Sequence, residues 1–132
     1  MHLIVCIDSR DGMTFGGKRQ STDRRLAEYL LESTKHSKLW MNAYSAKLFD
    51  CDDICVDEDF LQKARQGEYC FLENAPLPVT LDLESVTLCC WNRHYPSTQK
   101  FPRQILDRMH LESIIDFPGN SHEKITIERY TL

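Results

Sequence analysis

The order of apolar runs predicts an α/β domain: a mostly parallel twisted sheet flanked by helices, with an antiparallel hairpin at its C-terminal end. Three observations carry that expectation. Residues 2–7 are almost entirely apolar and do not alternate, as suits a central strand buried on both faces. Strand-like and helix-like segments then alternate as far as residue 72, the order expected of a sheet with helices packed on it. The chain ends in two β-rich runs, 111–117 and 125–130, joined by a turn-rich segment that opens Pro118-Gly119-Asn120-Ser121.

The elements between follow from local chemistry. Asp8-Ser9-Arg10-Asp11-Gly12 is a turn, and a loop continues through Gly16-Gly17. Ser21, Thr22 or Asp23 can cap a helix, whose apolar face Leu26, Ala27, Tyr29, Leu30 and Leu31 runs to about Ser33. Leu39-Trp40-Met41 is a short strand, and Asn42 can cap a second helix over 43–49. A brief strand at 54–56 and a short helix at 59–65, ended by Gly67, lead into a strand at 68–72. Pro76 and Pro78 make the next segment a connector, 86–91 is β-rich, and 96–103 is a loop with Pro102 before a short turn.

Composition bounds the function. A chain of 132 residues, 42% hydrophobic and 27% charged, fits one domain (1–132) that buries roughly two-thirds of its unfolded surface, so no disulfide or metal is required for folding. The net charge of −4 argues against a general nucleic-acid surface. Lys18-Arg-Gln-Ser-Thr-Asp-Arg-Arg25 is locally basic, read either as a solvated loop and helix start or as a site for phosphate or an acidic ligand. No apolar run reaches the ~20 residues of a membrane helix. The N-terminus has neither a basic leader nor a small-residue cleavage site, so a cytoplasmic chain is expected. The six cysteines then read as buried or free thiols.

Metal chemistry has little support in the spacing. Cys51 and Cys55 offer two zinc ligands without a second pair at finger-like spacing. His2, His36, His94, His110 and His122 are scattered and form no dinuclear motif of the kind a ribonuclease Z-type nuclease needs. No metal is expected. Ser121-His122-Glu123-Lys124 gathers acid–base groups but reads first as a polar turn. Trp91-Asn92-Arg93-His94-Tyr95 can stack and charge-pair with a heterocycle, or simply end a strand at the surface.

These segments, taken in order, resemble dihydrofolate reductase over nearly the whole chain. Leu3-Ile4-Val5-Cys6-Ile7-Asp8 looks like that family's opening strand, and Gly12-Met13 like its turn into the mobile substrate loop. Val86-Thr87-Leu88 resembles a late core strand, Phe101-Pro102 the close of the following loop, and Asn120-Ser121-His122 the last hairpin. The resemblance implies that Asp23 is the helix-opening acid that holds a pterin ring. A helix-capping carboxylate, worth ~0.3–1 kcal/mol without any ligand, explains the same residue.

Three departures bear on the cofactor that the family binds. Met41-Asn42-Ala43-Tyr44-Ser45 stands where the family has Met-Gly-Arg-x-Thr; Ser45 keeps a hydroxyl, but the arginine is Ala43, and such a phosphate contact is worth ~1.5–3 kcal/mol. Glu73-Asn74-Ala75 replaces the Gly-Gly pair that allows close backbone approach, and it brings negative charge toward a pyrophosphate. Only 18 residues separate Phe49 from Glu68, too few for the family's adenosine-binding strand and helix. The riboflavin-pathway reductase of the same fold uses NADPH too, so the same departures count against that activity. The expectation is a chain without a cofactor and without NADPH-dependent reductase activity.

Ligands of parallel α/β sheets bind at the carboxyl ends of the strands, so Asp8, Asp23, Asn42, Glu73 and Asn92 are expected around one mouth. The first functional expectation is a small-ligand-binding or regulatory protein for a small heterocyclic or anionic ligand, held by Asp23, Asn42, Ser45, Trp91 and Arg93. The second is an enzyme, a divergent reductase or a hydrolase, with Asp23 or His122 catalytic. The third is a protein-interaction module.

Overall fold

β1 (His2–Ile7) is the axis of the molecule, and its burial explains its composition. Leu3, Val5 and Ile7 point to one face of the sheet and Ile4 to the other, all at 2% exposure or less. The structure is a computed structural model and describes residues 1–78 and 80–132. Val79, inside the proline connector read from the sequence, lies outside the described residues.

Around β1 lie β4 (Leu39–Met41), β5 (Cys55–Val56), β6 (Tyr69–Leu72), β7 (Ser85–Cys90), β9 (His110–Phe117) and β10 (Ile125–Thr131). Their order across the sheet is β5-β4-β6-β1-β7-β10-β9. β1 runs parallel to β6 and β7, with Leu3 opposite Cys70 and Val86; β4 is parallel to both β5 and β6. β10 is antiparallel to β7 and to β9, so the C-terminal hairpin forms one edge as expected. A second sheet of three short strands, β3 (Lys18–Arg19), β2 (Gly12–Phe15) and β8 (Gln99–Lys100), stands where the sequence reads as loops. Strands this short carry too little apolar periodicity to show in sequence. The turn between β2 and β3 uses Gly16 at φ 60° and Gly17 at φ 79°, left-handed conformations suited to a tight hairpin.

Each face of the large sheet has its own core. On one face α1 (Arg24–Thr34) lays Leu26 and Leu30 against Ile4, Phe71, Cys89, Ile125 and Ile127. On the other, α3 (Phe60–Lys63) and a 3₁₀ turn (Arg103–Leu106) bring Phe60, Leu61 and Leu106 onto Leu3, Val5, Leu72 and Val86. α2 (Ala43–Ala46) is shorter than the helix read over 43–49; beyond it Phe49 turns inward and packs edge-on against Phe71. No helix among the described residues is long and apolar enough to cross a membrane.

Candidate functional site

The carboxyl ends of β1, β6 and β7 and the start of α1 enclose a cleft of about 260 Å³. Its walls are apolar: Leu26, Leu30, Phe49, Phe71 and Trp91. Ser21, Thr22, Arg24, Lys47 and Glu73 supply its polar lining. Cys6 also lines it, and the neighbouring Cys89 thiol, together with burial, pushes its pKa well up.

One end of the cleft is built around Asp23, the N-cap of α1. One carboxylate oxygen accepts from the N–H groups of Arg25 (2.9 Å), Leu26 (3.3 Å) and Asn120 (3.0 Å). The other accepts from Ser121 N–H (2.9 Å), Ser121 Oγ (3.2 Å) and His122 Nδ1 (2.8 Å). Burial opposes the charge, but the Asn120 N–H, the His122 imidazole and the Ser121 and Leu26 N–H groups hold the carboxyl far below the ordinary carboxylate range. The side chain has no exposed surface.

The segment after β9 makes this possible. It does not project as a simple hairpin turn: Gly119 N–H bonds His122 O at 2.9 Å, and the loop folds down onto α1. A Cβ on Gly119 would sit 2.6 Å from Asp23 Oδ2, so only glycine admits that approach. His122, expected in a polar turn, is instead buried, its ring stacked on Trp91 with centroids 4.6 Å apart. Its Nε2 meets Ser21 Oγ at 3.0 Å and the Tyr95 hydroxyl at 3.3 Å.

The other end is built around Glu73, which follows β6. Arg19 of β3 grips its carboxylate with two bonds of 2.9 Å, and Ser45 Oγ donates to it at 2.7 Å. The Arg19 guanidinium lies 4.0 Å from the centroid of the Tyr44 ring and also donates to Tyr44 O; the Tyr44 hydroxyl accepts the Arg19 N–H at 2.9 Å. Asn42 caps α2 through Ser45 N–H and donates to Asn74 Oδ1, while Asn74 donates to Gly17 O. The β2–β3 hairpin is thereby fastened across this end.

The residues singled out in sequence thus divide among several places. Asp23, Trp91 and Glu73 meet at the cleft; Asn42 and Ser45 stand buried behind Glu73 and bond to the chain. Arg93 turns away, donating to Ser121 O and lining a separate depression with Asn92, Glu123 and Lys124. Asp8 leaves the expected mouth too, since it closes its own turn through the N–H groups of Arg10, Gly12 and Tyr95. Nothing in the sequence around Ser21, Tyr44 and Lys47 marks them individually as site residues. Of the basic run at 18–25, Arg19 spends its charge on Glu73 while Lys18, Arg24 and Arg25 are exposed. All six cysteines are free, and no group of three or more His, Cys, Asp or Glu side chains is placed to hold a metal among the described residues.

Fold and cleft together define an α/β protein with a cavity at the carboxyl ends of its parallel strands. The particular architecture is that of dihydrofolate reductase: the chain superposes on the enzyme from Enterococcus faecalis, solved with NADP(H) and RAB-propyl, at a TM-score of 0.67, with 11% identity, over 98% of this chain and 94% of that one. No protein-family model and no curated protein sequence matches the chain.

Proposed function

We propose that the chain is a small-ligand-binding protein on a reduced dihydrofolate reductase-like scaffold, and that it does not carry out NADPH-dependent reduction. The ligand class is a small heterocycle bearing an anionic group. Its ring would lie between Leu26, Phe49 and Trp91, and its charge would meet Lys47 and Arg24 at the rim. Recognition in this reading falls to Ser21, Thr22 and these cations, because the Asp23 oxygens already accept from the chain's own donors.

The observation that carries the reading is the contrast between the open cleft and the Arg19–Glu73–Ser45 cluster beside it. The dihydrofolate reductase resemblance assigns that neighbourhood to cofactor phosphate contacts. Here a buried carboxylate occupies it, and a phosphate would have to compete with Glu73 for Arg19 and lie against an acid of its own sign. The residues present do not fit the cofactor.

Thermal unfolding tests both halves. A pterin carboxylate at ~100 times its dissociation constant stabilises the native state by ~2.7 kcal/mol, a shift of several degrees. NADPH at millimolar concentration produces none. A clear NADPH shift would overturn the reading.

A further inference from the structure

We infer that Ser21, His122 and Asp23 form a nucleophile–base–orienter relay at the wall of the cleft, able to hydrolyse small carboxylic esters with a short apolar acyl group; the substrate assignment rests on the cleft being the ligand site proposed above.

The geometry meets each requirement of such a relay. Ser21 Oγ stands 3.0 Å from His122 Nε2, and His122 Nδ1 stands 2.8 Å from Asp23 Oδ2. The Asp23 carboxylate can only accept, so Nδ1 is the donor to it; Nε2 faces the hydroxyls of Ser21 and Tyr95, and in the neutral ring it holds the lone pair that would take the serine proton. The imidazole is held on edge by Asp23 and on face by Trp91, so its direction is fixed before any substrate arrives. Ser21 is half-buried and lines the cleft beside Asp23, whose carboxylate is fully covered, while His122 is buried and takes no part in the lining. The three residues come from two distant parts of the chain, joined by the close approach of the Gly119 backbone to α1.

The step balances without a further reactant. Ser21 Oγ attacks the ester carbonyl carbon as its proton passes to His122 Nε2. The C–O bond to the alcohol breaks, and the departing alkoxide takes that proton, leaving acyl-Ser21. Water then adds to the acyl carbon, again giving a proton to Nε2. Breaking the acyl–Oγ bond returns that proton to Ser21 and releases the carboxylic acid. Arg24, the first residue of α1, whose N–H has no acceptor inside the helix, and Lys47 also line the cleft, and they are the donors that would meet the carbonyl oxygen as it gains charge. The Leu26, Leu30 and Phe49 walls receive the acyl chain.

The experiment uses the full chain, a fluorophosphonate and p-nitrophenyl butyrate. The wild type is expected to gain one phosphonate adduct on Ser21, located by peptide mass mapping, and to hydrolyse the ester above buffer. Ser21→Ala, a change at a half-buried side chain, loses the adduct and lowers hydrolysis by about 100-fold or more. Asp23→Asn offers Nδ1 an amide in place of an anion and slows labelling of the folded fraction by about 10²–10⁴-fold, a readout that a purely structural role would leave unchanged. An unlabelled wild type, or a Ser21→Ala variant that hydrolyses as fast, overturns the inference. A pterin-induced thermal shift in an unlabelled wild type would sink the relay while leaving the binding reading in place.

Discussion

The two ends of the cleft each bury a carboxylate, and they satisfy it by opposite means. Asp23 is held largely by backbone N–H groups and by an imidazole that is itself packed on Trp91. Glu73 is held by side chains, above all by the guanidinium of Arg19, which arrives on a hairpin of very short strands. Backbone donors at a helix start and a docked loop are part of the fold and cannot leave without unfolding it. A guanidinium on a hairpin is a clasp, which can be removed by one substitution. The Glu73 end is thus closed by a few side chains, while the Asp23 end is organised by architecture.

Breaking the clasp should have the largest effect. Arg19→Ala leaves Glu73 buried without its cation and is expected to cost about 3–5 kcal/mol in denaturant unfolding. Arg19→Ala combined with Glu73→Ala should recover a large part of that loss, because the uncompensated charge is gone. If the double variant is as unstable as the sum of the singles, the clasp is not the unit described.

At the architectural end, Gly119→Ala forces a methyl into the Asp23 carboxylate and the His122 carbonyl, with an expected loss of about 1–3 kcal/mol. Acid stability sharpens the same point. Asp23 binds its proton more weakly in the folded state than at its ordinary value of 3.8, so the unfolded chain takes up more protons in acid. Its stabilisation is therefore complete above that ordinary value and drains away as pH falls toward the depressed folded value. Asp23→Asn should flatten this acid limb of stability against pH, measured by urea unfolding at stepped pH. The smallest effect belongs to Lys47→Ala, exposed at the rim: stability should change by less than about 0.5 kcal/mol, while affinity for an anionic pterin falls.

Much of the architecture was legible before any coordinates. The unbroken apolar run of β1, the periodic face of α1 and the turn residues before β10 each declare their place, since burial on one or two faces writes a period into the sequence. What was not legible depends on contacts between segments far apart in the chain. His122 reads as part of a polar turn because its neighbours are polar; only the docking of its loop on α1, nearly a hundred residues earlier, buries it. Arg19 reads as one of a basic run, and nothing local says that it alone will find Glu73. Asp23 is a cap by sequence and by structure, but the donors from 120–122 are invisible to any local rule.

The most direct test of the contrast between the two ends is an amide-resolved NMR titration with a pterin carboxylate and, separately, with NADPH. The pterin is expected to move the amides of Cys6, Ala27 and Trp91 and to leave those of Arg19, Tyr44 and Ser45 in place, while NADPH moves none of them. Shifts at Tyr44, Ser45 and Asn74 on adding NADPH would contradict it, because they would mean that the Glu73 end opens to a phosphate-bearing cofactor.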